Sequence, residues 1–337
     1  MVIFILALRS ELPVPVSSKR LPGGGGSVYK RNHNARTPVA SASFDVKGQR
    51  VKRIEVIANI ASGSVGPDAP QIAERLLAEY GVSGVVHAPQ PGELVDCLRK
   101  AIDSAPDAIL VIAGDGTARA AAEMAGPDGP LIAPLPGGTM NMLPRALYGD
   151  RDWQTAMKAC LESGEARTIS GGEVGGRLFF VAAILGSPAL WATAREAARE
   201  GKFSIAIARA RRAFRRAFSG RLRVSLDGRP EIKTEALTLM CPLVSTALDA
   251  DERALEATAL DPSSALDVFR LGFNAALGHW RDDPSVNAGR CRTGKIRAHG
   301  RIPAILDGEP ARFDPEVSIR FRPKAFRALV PPDETAE

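Results

Sequence analysis

From Val51 onward the apolar residues alternate between two textures. Short unbroken runs (Ile54 to Ala58, Gly84 to Ala88, Asp107 to Ala113 and Leu131 to Leu135) are rich in Val, Ile, Ala and Leu. Between them apolar positions recur at helical spacing, as in Ile72, Leu76, Leu77 and Tyr80. Glu93 to Ala105, an alanine-rich stretch ending at Ala125, and Met142 to Leu147 also read as helices. An unbroken apolar run suits a strand covered on both faces, whereas a 3.6-residue period suits a helix with one face on a sheet. Strands that alternate with helices predict right-handed parallel crossovers, with ligands at the carboxyl ends of the strands.

After about Ile169 the texture changes. A glycine-rich hairpin around Gly175-Gly176 leads into a strand from Leu178 to Ile184, and a helical stretch follows from Pro188 to Ser219. Beyond it come short strand candidates with turn signals: Leu222 to Leu226, Ala236 to Met240, Leu266 to Leu271, Lys295 to His299, Ile302 to Leu306 and Val317 to Phe321. Such spacing predicts a β-rich second domain. The first stretch is different again, with Pro13, Pro15, Pro22 and the run Gly23 to Gly26 among few large apolar residues. The expected organisation is a flexible tail over 1–50, an α/β domain over 51–168, a β-rich domain over 169–315, and a closing segment, 316–337, returning to the first domain.

The 337 residues are 45% hydrophobic and 24% charged, which fits folded domains rather than a disordered chain. The apolar run Val2 to Leu8 is too short to span a bilayer and lacks the features of a signal peptide, so a cytoplasmic location is expected. Cys97, Cys160, Cys241 and Cys291 are scattered without a C-x-x-C pair, which argues for reduced structural thiols and assigns no metal site. A formal charge of +6 suits an anionic partner without choosing one.

The candidate chemistry lies in three polar, glycine-containing loops that each join an apolar run to a helix. They are Asn59-Ile60-Ala61-Ser62-Gly63, Gly114-Asp115-Gly116-Thr117 and Pro136-Gly137-Gly138-Thr139-Met140-Asn141. A helix N-terminus offers unpaired N–H groups and partial positive charge, and glycine lets backbone approach an anion closely. One such end contributes only about 0.3–1 kcal/mol, so several must converge to hold a triphosphate. Neither a Walker A motif nor a dinucleotide fingerprint is present.

The second and third loops, continuing through Met142-Leu143-Pro144-Arg145, resemble those of bacterial diacylglycerol kinases and sphingosine-type kinases. That family has the NAD-kinase-like fold and usual loops N-P-x-S-G, G-G-D-G-T and G-T-x-N; the resemblance runs over roughly residues 53 to 330. It implies a three-layer α/β domain beside a β-sandwich-like domain. It also implies an ATP site at Asn59, Ser62, Gly63, Gly114, Asp115, Gly116, Thr117, Gly137, Gly138, Thr139 and Asn141, with Mg²⁺ accompanying the nucleotide. This chain departs from the family at Ile60 (usually proline), Ala113 (usually glycine), and Arg119 and Ala120 (usually asparagine and glutamate). The family's acidic turn for a structural magnesium aligns with Ser263-Ser264, which puts that metal in doubt.

Leu306-Asp307-Gly308-Glu309-Pro310 is on its own a hairpin turn, and Leu226-Asp227-Gly228 supplies a second example in the same chain. The family carries a late D-G-E that delivers a carboxylate to the interdomain cleft. The resemblance therefore makes Asp307 or Glu309 the base that orients a lipid hydroxyl, leaving open which, with the other as orienter or magnesium contact. Asp115 would act indirectly, through Mg²⁺ or hydrogen bonds to the loops.

Between Arg195 and Arg223 ten Lys/Arg accompany two Glu, while Phe203, Ile207, Ala210, Phe214 and Phe218 recur at helical spacing. Phe203, Arg211, Arg212, Phe214, Arg215 and Phe218 would suit an anionic membrane surface, where each basic residue adds about 1 kcal/mol; a helix packed on its own domain explains them equally well. No nucleic-acid module accompanies the arginines. The expected activity is an ATP-dependent lipid kinase. NAD kinase-like activity and a non-catalytic nucleotide or lipid sensor are the alternatives, and the oligomeric state, a homodimer included, is left open.

Overall fold

The consecutive apolar runs form the parallel centre of a mixed sheet. The computed structural model describes residues 44–46, 49–186, 189, 222–249, 252–260 and 286–332. A short hairpin, β1 (Phe44–Val46) with β2 (Gln49–Val51), begins inside the stretch read from sequence as a tail. Then come β3 (Ile54–Ala58), β4 (Gly84–His87), β5 (Ala108–Ala113) and β6 (Leu131–Pro136), side by side in the order β4-β3-β5-β6 and all parallel. The connecting helices are α1 (Ala69–Glu79), α2 (Leu94–Asp103) and α3 (Asp115–Ala125), with α4 (Met142–Tyr148) following β6.

The chain moves from β3 outward to β4, then back across to β5 and on to β6. Right-handed crossovers put α1 on one face and α2 and α3 on the other. In keeping with this, α2 packs beside α3, and α1 beside α5 (Trp153–Ser163). Helix α5 has no counterpart among the sequence expectations, although its start carries a signal: Asp152 accepts a hydrogen bond from Thr155 N at 2.7 Å, a side-chain N-cap. The reversal of winding at β3 opens a crevice at the carboxyl ends of β3 and β5, where ligands bind in such sheets.

The second lobe is a sandwich. One of its sheets continues the mixed sheet through β7 (Glu165–Val174), β8 (Arg177–Phe179), β10 (Leu222–Leu226), β11 (Ile232–Thr234) and β15 (Thr293–Arg297). The other runs β14 (Val286–Cys291), β13 (Leu255–Leu260), β12 (Ala236–Met240), β9 (Ala182–Gly186), β16 (Ile302–Leu306) and β17 (Glu309–Phe313), antiparallel throughout. Phe179, Leu185, Val224, Leu239, Ile296, Phe313 and Ile319 fill the space between them.

The long strand β18 (Glu316–Val330) ties the lobes together. Its first third pairs with β15, and β7 runs antiparallel along most of it, with a register break between Arg322 and Phe326 that contains Pro323. Near its end β18 meets β6 at one position only, Ala328 opposite Ile132. The reason lies in β6. Leu131 N and Gly137 N donate toward β5, so the even-numbered residues face β18, and Pro134 and Pro136 have no N–H to offer there.

Sequence reasoning runs Leu178 to Ile184 together as one strand, but the structure divides it. β8 ends at Phe179, β9 starts at Ala182 in the other sheet, and the amides between are taken by the carboxylate of Asp307. Cys160, Cys241 and Cys291 are buried free thiols, and burial pushes Cys160 and Cys291 up to about 12. The sequence expectations for residues 1–43, the helical stretch from Pro188 to Ser219, the basic stripe with Phe203, Arg211, Arg212, Phe214, Arg215 and Phe218, the Ser263-Ser264 turn and the Leu266 to Leu271 strand lie outside the described residues.

Candidate functional site

The three glycine-containing loops meet at the carboxyl ends of β3, β5 and β6 and bond to one another. Ser62 Oγ donates to Gly137 O at 2.9 Å, and Ser64 N donates to the same carbonyl at 3.2 Å. Gly137 N donates to Ala113 O at 2.9 Å. Asn59 N donates to Ile112 O at 2.9 Å, and its Oδ1 accepts from Ala61 N at 3.3 Å. Asn141 sits in the left-handed region (φ 50°) at the N-cap of α4, with Oδ1 accepting from Gly138 N at 2.7 Å and Nδ2 donating to Gly138 O at 2.9 Å. Both ends of its amide are thus engaged with its own loop, so Asn141 shapes that loop. Gly63 and Thr139 face each other: a Cβ on Gly63 would lie 3.5 Å from Thr139 Oγ1.

Two glycines are demanded by backbone contact between loops. A Cβ on Gly137 would lie 2.7 Å from Ala113 N, and one on Gly138 would lie 2.7 Å from Gly114 Cα. These atoms belong to main chain and cannot swing aside. Gly138→Ala is expected to force the second and third loops apart at an overpacking cost of about 1–3 kcal/mol. Calorimetric titration with ATP should show roughly tenfold weaker binding, and unchanged affinity would remove the loops from the nucleotide site.

α3 starts at the second loop, so the amides of Asp115 and Gly116 have no helical acceptor one turn back, whereas Thr117 N donates to Gly114 O at 3.1 Å. Asp115 itself reaches across to α4, where Oδ1 accepts from Leu143 N at 3.3 Å. It thereby caps a helix whose own N-cap side chain is engaged elsewhere. Burial pushes Asp115 up to about 6, and the nearby charge of Asp307 adds to the shift.

The D-G-E turn arrives from the sandwich lobe. Asp307 (φ 46°) and Gly308 (φ 86°) form the two left-handed positions of a tight hairpin between β16 and β17. Gly308 packs over the third loop: a Cβ there would lie 3.3 Å from Met142 Sδ and 3.6 Å from Met140 Sδ. Glu309 lies over the first turn of α3, its Oε1 3.4 Å from where a Gly116 Cβ would be. Asp307 turns the other way. It is 2% exposed and accepts backbone hydrogen bonds from Phe180 (2.7 Å), Val181 (2.9 Å) and Ala182 (3.0 Å). Burial pushes its carboxyl up to about 6 against the opposing pull of those three amides.

The other Asp-Gly turn shows what this arrangement is. Asp227 (φ 49°) precedes Gly228 (φ 73°), its N donates to Thr293 O, and its Oδ1 accepts from Arg292 N at 2.9 Å and Thr293 N at 2.8 Å. Asp307 repeats the pattern on β9, with its own N donating to Ala182 O. In both turns the aspartate staples a hairpin to a neighbouring strand. The turns differ in the residue after the glycine: Arg229 on a surface in one, Glu309 above the glycine loops in the other.

A second concavity, of about 790 Å³, lies between β4 and α2 and is lined by Glu55, His87, Glu93, Cys97, Lys100 and Ser104. None of the loop or turn residues above borders it. Among the described residues no group of three or more His, Cys, Asp or Glu is placed to hold a metal by itself, and no helix is long and apolar enough to cross a membrane.

Comparison with known proteins bears on the fold. Residues 53–174 match the family described as the diacylglycerol kinase catalytic domain. A crystal structure of a candidate diacylglycerol kinase from Bacillus anthracis str. Sterne aligns with a TM-score of 0.62 at 17% identity, covering 84% of this chain and 98% of that one. Another diacylglycerol kinase structure from the same organism aligns with a TM-score of 0.58 at 13% identity, covering 84% of this chain and 97% of that one. At such identities the alignments establish a shared two-domain fold, an α/β domain with a β-sandwich-like partner.

Proposed function

Because residues 53–174 match the diacylglycerol kinase catalytic-domain family, we propose that this protein is an ATP-dependent kinase that phosphorylates the hydroxyl of a diacylglycerol-type lipid alcohol. The observation that carries the reading is the position of Glu309, a carboxylate from one lobe lying over Gly116 at the first turn of α3 in the other.

In this reading the amides at the start of α3 and the loops at Ser62–Gly63 and Gly137–Thr139 cradle the nucleotide phosphates. Glu309 orients the lipid hydroxyl for in-line attack and accepts its proton late, since phosphoryl transfer depends on positioning more than on a strong base. Asp307 is the staple that fixes where Glu309 sits, and Asp115 holds the α4 loop against the second loop. A Mg²⁺ carried by the phosphates needs only one or two protein carboxylates, and Asp115, at the first turn of α3, would hold it; the ion would neutralise charge on the group in transfer.

The test is to incubate the protein with radiolabelled ATP, Mg²⁺ and a total lipid extract and to identify the labelled product. A phosphorylated lipid alcohol is the expected result. Conversion of NAD to NADP under the same conditions, without labelled lipid, would move the acceptor to the dinucleotide. ATP binding with no transfer to either would leave a non-catalytic sensor.

A further inference from the structure

Arg119 stands where the family usually has asparagine, on α3 one helical turn beyond Asp115. Residues four apart share a helix face, and helical side chains lean toward the N-terminus. Arg119 therefore lies on the face of α3 that carries Asp115, one turn beyond the turn that Glu309 covers. Its side chain is only 14% exposed.

The donors of this buried cation are incompletely matched. Nη1 donates to Glu123 at 3.3 Å, along the same helix. Nε is fully buried and has no hydrogen-bond partner. Asp307 lies close enough for the two charges to act on each other, yet its oxygens are already engaged with the amides of Phe180, Val181 and Ala182. An orphaned buried donor on a permanently charged group is uncommon in native proteins and asks for a partner. Here the missing partner is an acceptor, and the cradle beside it is built for anions.

We infer that Arg119 is an additional phosphate ligand, contacting the terminal phosphoryl group of the bound nucleoside triphosphate. The inference rests on the kinase reading for the location of the phosphates but not on the identity of the acceptor. A planar guanidinium offers donors in a fixed fork that matches phosphate oxygens, which asparagine cannot reproduce. The extra cation would face the three equatorial oxygens, over which charge spreads during transfer.

The contact belongs to the third phosphate, so it is read by comparing ATP with ADP. Isothermal titration of each nucleotide, with Mg²⁺ and no lipid, should show the wild type binding ATP about tenfold or more tightly than ADP. Arg119→Ala should bind ADP as the wild type does and lose that preference for ATP, and Arg119→Lys should recover part of it. If Arg119→Ala fails to fold, Arg119→Gln keeps the bulk of the side chain and should lose the preference in the same way. A preference for ATP that survives both substitutions, its absence in the wild type, or an equal loss of ADP affinity each overturns the inference. Labelled lipid is not part of this readout. A preference that depends on Arg119 in a protein that phosphorylates no lipid would uphold the phosphate contact while sinking the lipid assignment.

Discussion

Glu309→Gln is expected to lower phosphate transfer by about 10²–10⁴-fold while leaving ATP affinity and the melting transition near those of the wild type. The side chain is exposed at the start of β17 and has no hydrogen bond or ion pair among the described residues. Replacing it with an amide of the same shape removes no contact that holds the fold, and surface changes of that kind usually stay within about 0.5 kcal/mol. What is lost is the ability to take a proton from the hydroxyl and to hold it in line. Initial rates with labelled ATP, run beside a thermal melt, separate the two effects. A variant that transfers phosphate at the wild-type rate would leave Glu309 as a turn residue and return the choice of base to Asp115 or to a group outside the described residues.

Much of this site is legible in the residues alone. The parallel strands announce themselves as unbroken apolar runs, and the loops after β3, β5 and β6 stand where such sheets bind ligands. What stays hidden depends on pairings far apart in sequence. Nothing local to Glu165–Val174 says that it lies along the last strand, and Val317 to Phe321 marks only the first third of that strand. The break between β8 and β9 is caused by Asp307, more than 120 residues away along the chain. The same long-range contact distinguishes the two acids of the D-G-E turn. A sequence shows two carboxylates two residues apart, but only the packing shows one under three amides and the other over a helix end. Asn141 teaches the same lesson in the opposite direction. Its residue type suits a nucleotide ligand, yet its geometry closes a loop.

Asp307→Ala is expected to be the most damaging single change in the turn, costing stability rather than chemistry. Three buried amides lose their acceptor, and each unsatisfied buried group costs about 1–3 kcal/mol. Alanine also fits the left-handed backbone at φ 46° poorly, which adds about 1–2 kcal/mol. Partial relaxation and entering water will reduce the sum, so about 3–5 kcal/mol is the expected loss, seen as a lowered urea midpoint. Asp307→Asn tolerates the backbone and keeps one acceptor oxygen but turns an NH₂ group toward an amide donor, so it should fall between alanine and wild type. Asp227→Ala is the control: the same turn is exposed, water can replace the lost acceptor, and the loss should stay near about 1 kcal/mol. The pH dependence adds an independent sign. Burial raises the Asp307 carboxyl from 3.8 to about 6, so the folded state binds its proton more readily than the unfolded chain does. The stabilisation linked to that proton is complete below about pH 3.8 and is lost as pH rises through about 6. Wild type should therefore lose more stability than Asp307→Asn between about pH 4 and pH 7. An Asp307→Ala protein as stable as the wild type would mean that those amides have another partner. The turn would then be free to move, and the placement of Glu309 over α3 would no longer be fixed by the fold.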